Sequence, residues 1–263
     1  MRFAAIFISF VLGIPIFAQQ STTATPQSSP EALLLLQKSL AALTGSQSIT
    51  DITLSGTARH IAGSDDETGT ATYQAISGAN RLDLTLAGGS RSQIVNSTTD
   101  PPAGSWSGPD GVSHPTALHN LMNQCTIFPA FTFASLTSTQ HLALELIGQE
   151  TNDGRLVYHL SASQQFPQMS KKTASLTQHL TRIDIFLESS TLIPVALEFN
   201  THPDNDAGLD IPVELLFSDY RSINNVQIPF HVQEFLNNTL IFDLQFASAQ
   251  LNSGLSASLF HAE

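Results

Sequence analysis

The sequence predicts a mainly β protein, with a large curved antiparallel sheet and a few helices that cover the concave face of the sheet. Apolar and polar residues alternate in many short segments, which is typical of strands that bury one face. Turn residues separate these segments, and the alternation of strand and helix that marks a parallel sheet is missing. Clear helical spacing occurs in only two places. These observations together favour an antiparallel meander.

The first helix is predicted to run from Pro30 to Gly45. Ser29 supplies a capping side chain, Pro30 suits the first turn, and Glu31 complements the positive end of the helix dipole. Gly45 provides a C-terminal stop.

A second, amphipathic helix is predicted within residues 115–128, where apolar residues recur at helical spacing. We expect it to act as a lid over the sheet through Leu118, Leu121, Met122 and Cys125, with Phe128 on the same face. A third segment, 169–181, fits either a short helix or a loop.

About ten or eleven strands are predicted, and the most regular pattern covers residues 226–246. Apolar and polar residues alternate on both sides of Asn237-Asn238, which predicts a hairpin because asparagine tolerates the positive φ of a tight turn. A second hairpin turn is predicted at residues 152–154. The glycine- and proline-rich segment 97–115 is predicted to contain a short strand at Trp106.

Two helices are too few to cover so many one-faced strands, so part of the apolar face is predicted to line a cavity. The predicted lining residues share a position on the apolar face of a strand: Leu82, Leu84, Leu86, Leu142, Leu144, Leu146, Phe230, Phe242 and Leu244. Taken singly, such residues fit a packed core equally well.

The composition argues against several functions. Ten Lys and Arg against 22 Asp and Glu give a formal net charge of −12, which disfavours nucleic acid and anionic membrane surfaces as partners. The segment 104–108 reads GSWSG and places Trp106 where a nucleophile elbow requires serine. Phosphate-binding, dinucleotide-binding and zinc-protease motifs are missing. We therefore expect no enzyme activity and no cofactor.

No metal site is predicted either. His114, His119 and Cys125 follow one another at spacings of five and six residues, which do not share one helix face. The acidic segment 202–210 lacks the residue order of a calcium loop, because Leu215 stands where the bidentate glutamate belongs. Helix-cap, surface and solvated-loop roles fit these residues better.

The amino terminus predicts export. Residues 1–18 combine Arg2, an apolar stretch and a small final residue, as a cleaved signal peptide does. Residues 19–29 form a polar segment expected to be a disordered tether, and residues 30–263 are expected to form one domain. Cys125 is the only cysteine, so no internal disulfide is possible. We expect a soluble periplasmic or secreted protein without an integral membrane segment after cleavage.

Several segments together resemble a known family. ITDITLSGTA begins at residue 49, SSTLIPVALEF at residue 189 and DYRSINNVQIPFHVQEF at residue 219, and Leu259-Phe260 closes the chain. This order resembles the LolA-like superfamily of bacterial periplasmic lipoprotein carriers. The resemblance implies an unclosed half-barrel whose helices form a lid over a cavity for acyl chains. In the carriers an arginine beneath the lid locks the closed form, and Arg81 and Arg91 are the candidates here.

The resulting expectation is a carrier of a hydrophobic or acylated ligand, with a transient partner in the cell envelope. One alternative is a structural or interaction module of the envelope whose interior is packed core. A second alternative is an exported hydrolase, which would require a serine, a histidine and an acid to converge in one pocket.

Overall fold

A computed structural model describes residues 28–123, 125–152, 154–166 and 168–262, and its main feature is one antiparallel sheet of 13 strands. The strands are Asp51–Ala62 (β1), Asp65–Ile76 (β2), Ala79–Leu86 (β3), Gly89–Asn96 (β4), Ala103–Ser107 (β5), Ser113–Pro115 (β6), Leu142–Asn152 (β7), Arg155–Gln164 (β8), Ile183–Glu188 (β9), Pro194–Thr201 (β10), Ile211–Ile223 (β11), Val226–Leu236 (β12) and Thr239–Leu251 (β13). The predicted mainly β, antiparallel fold is confirmed, with more strands than the ten or eleven expected.

The strand order is simple. The chain starts in the middle of the sheet at β1 and proceeds outward, strand by strand, to the edge strand β6. It then crosses to the opposite edge at β7 and returns to β13, which pairs with β1. Strands β6 and β7 are the two edges, so the sheet is curved but not closed.

Three α-helices accompany the sheet: Pro30–Thr44 (α1), Pro129–Ser138 (α2) and Lys171–Leu180 (α3). The prediction of α1 is confirmed: the Ser29 hydroxyl accepts a hydrogen bond from the Ala32 amide at 3.4 Å, and Gly45 ends the helix with a φ of 56°. Segment 169–181, which fitted a helix or a loop, contains α3.

The predicted lid helix is wrong. Leu118, Leu121, Met122 and Cys125 do not share an α-helical face, because residues 118–121 form a single 3-10 turn and the α-helix begins only at Pro129. Proline disfavours helical backbone in the residue before it, and Phe128 is extended, with a ψ of 95°.

Local turn chemistry is reproduced where it was predicted. Asn237 and Asn238 have φ values of 48° and 62° and join β12 to β13. The expected short strand at Trp106 is β5. The predicted turn at residues 152–154 joins β7 to β8, with its middle residue outside the described part of the chain.

Apolar side chains from the concave face form the main core together with α1 and α2. Leu36, Leu43, Phe128 and Phe133 are fully buried in it. Helix α1 packs on α2 and on strands β7 and β12. A smaller cluster on the opposite face joins Ala79 and Ile94 to Phe260, in the 3-10 turn Ala257–Phe260.

The predicted signal peptide (1–18) and residues 19–27 of the predicted tether lie outside the described residues. The last two tether residues contact the sheet: the Ser28 hydroxyl donates to the Leu142 carbonyl and the Ser29 amide donates to the Leu144 carbonyl, both at 2.7 Å. Within the described ranges, none of the helices has the length and apolar character needed to cross a membrane.

Candidate ligand cavity

The part of the concave face that α1 and α2 leave uncovered borders a cavity of about 800 Å³. Strands β1, β3–β5 and β10–β13 form its walls, and residues 116–127, named here the mouth segment, cover one side. Residue 124 of this segment is outside the described residues. The volume lies within the range of about 300–1,000 Å³ typical of small-molecule sites.

The residues predicted to line a cavity divide between two places. Leu82, Leu84 and Phe242 line the cavity, at the edge of the main core, which they also contact. The other six pack in the main core: Leu86, Leu142, Leu144, Leu146, Phe230 and Leu244.

Whether a residue packs in the core or lines the cavity depends on its position along the strand. In β12, Val232 belongs to the core under the helices, whereas Glu234, two residues further along the same face, lines the cavity. In β13, Leu244 belongs to the core and Phe242 to the cavity. One end of each of these strands is therefore under the helices, and the other end faces the cavity.

The mouth segment is fixed by its own side chains rather than by a helix. The Asn120 side chain donates to the His202 carbonyl at 2.8 Å and accepts from the His202 amide at 2.9 Å. The side-chain amide of Asn123 donates to the Asn200 carbonyl at 3.2 Å. Leu121 is buried against the cavity and Cys125 half-buried beside it. Burial raises the pKa of the Cys125 thiol well above its usual range.

One wall of the cavity is polar although it lies on the apolar face. Glu234 of β12 is paired across the sheet with Phe242, which is paired with His60 of β1. The His60 ring lies 4.9 Å from the Phe242 ring. Burial raises the pKa of Glu234 to about 7. Burial, and after it the charge of Arg91, lowers the pKa of His60.

Arg91 completes this polar wall. It is paired with Leu84 in the β3–β4 ladder, so it projects toward the cavity, and its Nη2 lies 2.9 Å from Glu67 Oε2. Its other terminal nitrogen, Nη1, and His60 Nδ1 are buried without a hydrogen-bond partner among the described residues. Arg81 occupies the opposite face, where it forms two hydrogen bonds to Asp83 at 2.6 and 2.9 Å. The locking role of either arginine stays a prediction.

Trp106 stands at the rim of the cavity, where its side chain is 49% exposed. Its ring stacks on the His114 ring at 4.4 Å. The only tryptophan of the chain is therefore placed to report on whatever enters the cavity.

A serine, a histidine and an acid do meet, but on the convex face. The Ser218 hydroxyl lies 2.9 Å from His231 Nδ1, and His231 Nε2 lies 2.9 Å from Asp243 Oδ1. None of the three lines the cavity. The arrangement is a cross-strand hydrogen-bond chain and gives no support to a hydrolase.

The comparisons with known proteins identify the fold. No protein-family model and no curated protein matches the sequence. Three crystal structures are similar over 88% of this chain. A Vibrio parahaemolyticus domain named for outer membrane lipoprotein sorting has 12% identity, 96% of its own length covered and a TM-score of 0.56. A DUF1329 family protein from Desulfovibrio piger gives the same values.

The third structure is a LolA superfamily protein from Nitrosomonas europaea, with 13% identity, 97% of its own length covered and a TM-score of 0.52. Identities this low establish a shared architecture rather than a shared activity. The resemblance found in the sequence is confirmed at the level of architecture: the chain has the LolA-like fold.

Proposed function

We propose that this protein binds an acyl chain or a similar hydrophobic group in the cavity and carries it in the cell envelope, without catalysing a reaction. The observation that supports the proposal most directly is a cavity of about 800 Å³ on the apolar face of an open sheet. An interior filled only by side chains, as the structural-module alternative requires, would leave no such volume.

The affinity would come from removing the ligand's apolar surface from water. Each buried methylene contributes about 0.8 kcal/mol, so a chain of about twelve carbons retains several kcal/mol after the cost of ordering. Leu82, Leu84 and Phe242 supply the apolar contacts. The unpartnered nitrogen atoms of Arg91 and His60 supply hydrogen bonds for a polar headgroup.

The proposed place of action is outside the cytoplasm, after removal of residues 1–18 as a signal peptide, and delivery would involve a transient envelope partner. Sequencing the amino terminus of protein released by periplasmic extraction tests this part. We expect the mature chain to begin near Gln19. Recovery of the uncleaved chain from the membrane pellet would contradict it.

Ligand binding itself is tested by titrating the delipidated protein with a fluorescent fatty acid. Leu84→Asp replaces an apolar contact of the cavity wall with a carboxylate beside Arg91, its neighbour in the β3–β4 ladder, so we expect affinity to fall at least about tenfold. Ile147→Asp adds the same charge at a side chain that is 54% exposed and outside the cavity lining, and it should bind as the unsubstituted protein does. Failure of the unsubstituted protein to bind the probe would refute the proposal.

A further inference from the structure

Two histidines and an aspartate lie close together where the end of α3 meets the connection between β10 and β11. His179 lies in the last turn of α3, His202 follows β10, and Asp210 precedes β11. His179 Nε2 lies 2.9 Å and His202 Nε2 lies 3.1 Å from the same atom, Asp210 Oδ1. One ligand atom from each residue falls within 4.8 Å of the others.

This donor set is suited to a divalent transition metal. Two imidazole nitrogens and one carboxylate oxygen are the three protein ligands of many zinc sites, with a fourth position left for water or another ligand. Ligand atoms about 2.0–2.1 Å from a tetrahedral zinc lie roughly 3.3 Å apart. The two separations from Asp210 Oδ1 need only a small outward adjustment, and the two histidine ligand atoms lie within 4.8 Å of each other.

The surroundings favour a cation as well. His202 is almost fully buried, and it presents Nε2 to Asp210 while its other ring nitrogen, Nδ1, has no hydrogen-bond partner among the described residues. A neighbouring depression is lined by Asp184, Glu198 and Glu214 and by one cation, Arg182, which pairs with Asp184 at 3.0 Å. The carboxylates outnumber the cation, which favours a positively charged ligand.

We propose that His179, His202 and Asp210 form a Zn²⁺-binding site. The metal would join the end of α3 to the loop between β10 and β11. Asn120 ties this loop to the mouth segment through both backbone groups of His202, so the site lies directly behind the cavity mouth. His202 also lines the cavity, but the proposed metal ligands are the two histidines and Asp210 alone, so the proposal does not rest on acyl-chain binding.

The competing account is a metal-free cluster in which Asp210 accepts a hydrogen bond from each histidine. Both accounts explain the two short distances to Asp210 Oδ1. Only the metal-site account predicts that added Zn²⁺ forms a tight one-to-one complex and that this complex requires the three side chains.

The test is a competition titration of chelator-treated, tag-free protein with Zn²⁺ against a chromophoric chelator. We expect one Zn²⁺ per chain. His179→Ala and Asp210→Asn each should weaken binding at least about 100-fold, more than the loss of a supporting residue around a metal usually causes. His261→Ala removes an exposed histidine outside the cluster and should bind as the unsubstituted protein does.

His179 and Asp210 have side chains that are 39% and 43% exposed, so both variants should fold, which circular dichroism verifies. Replacing Zn²⁺ by Co²⁺ provides a second measurement, because tetrahedral Co²⁺ coordination absorbs in the visible range and should be lost in both variants. Absence of one-to-one Zn²⁺ binding, or unchanged binding by both variants, would overturn the proposal in favour of the metal-free cluster.

Discussion

The raised pKa of Glu234 can be tested through the pH dependence of the free energy of unfolding. Its carboxyl group faces the cavity beside Phe242, and no cause other than burial shifts its pKa. Burial raises that pKa from an ordinary value of 4.5 to about 7. The folded protein therefore keeps a proton on Glu234 between these two pH values, while the unfolded chain has lost it.

The direction of the effect follows from this difference in proton binding. Between about pH 4.5 and 7 the unfolded chain holds fewer protons, so the free energy of unfolding falls as the pH rises and levels off above about pH 7. One pKa unit corresponds to about 1.4 kcal/mol, which sets an upper limit of about 3 kcal/mol for this group. Water in the cavity would reduce the loss.

Glu234→Gln removes the ionisation but keeps the shape. We expect the variant to be more stable than the unsubstituted protein at about pH 8, by about 1–3 kcal/mol, and the difference to shrink as the pH falls. Urea unfolding at several pH values from about 5.5 to 8.5 measures it. Glu145→Gln, at an exposed position, controls for the lost charge. Parallel pH profiles for Glu234→Gln and the unsubstituted protein would refute the raised pKa of the partly buried Glu234.

Three further outcomes are expected. Cys125 should react with a thiol reagent slowly in the native protein and quickly in denaturant, and bound fatty acid should slow the native reaction further. Fast labelling of the native protein would place the thiol outside the cavity. Asn120→Ala should lower the free energy of unfolding by about 1–3 kcal/mol and speed the release of a fluorescent fatty acid in stopped-flow experiments; unchanged release would mean that the mouth segment does not retain ligand. Leu144→Asp, at a fully buried core position, should unfold the protein, whereas Leu84→Asp, at a buried position that borders the cavity, should lose stability but still give a folded baseline in a thermal melt.

Local chemistry explains which elements could be predicted from the sequence. Ser29, Pro30 and Gly45 determine the ends of α1 through groups that act within a few residues. The Asn237-Asn238 turn is equally local, and the alternation on either side of it specifies the two strands. These features depend little on the rest of the fold, which is why they match the structure.

The mouth segment shows where periodicity misleads. Apolar residues at helical spacing predicted an α-helix, but Asn120 uses its side chain to bind the backbone of His202, more than 80 residues away in the chain. Pro129 then starts the helix beyond Phe128. A tertiary hydrogen bond of this kind overrides local spacing and leaves no pattern in the sequence.

The cavity and the histidine cluster could be predicted only in part. Alternation shows which face of a strand is apolar, but it does not show which end of that face the helices cover, so Leu84 and Leu144 look alike in the sequence. Glu234 does leave a signal, because it places a charge on the face that Val232 makes apolar, but alternation alone does not show whether such a charge faces a cavity or solvent. His179, His202 and Asp210 come from three separate elements, without a spacing that marks a metal site.

The central claim is that an acyl chain occupies the cavity, and Trp106 allows a direct measurement. Fatty acids carrying bromine on the chain quench tryptophan fluorescence only at close range, and this chain has a single tryptophan, at the cavity rim. We expect saturable quenching at one fatty acid per protein, strongest for one bromine position along the chain and lost in Leu84→Asp. Quenching that stays linear with concentration, or that is the same for every bromine position and in Leu84→Asp, would contradict it.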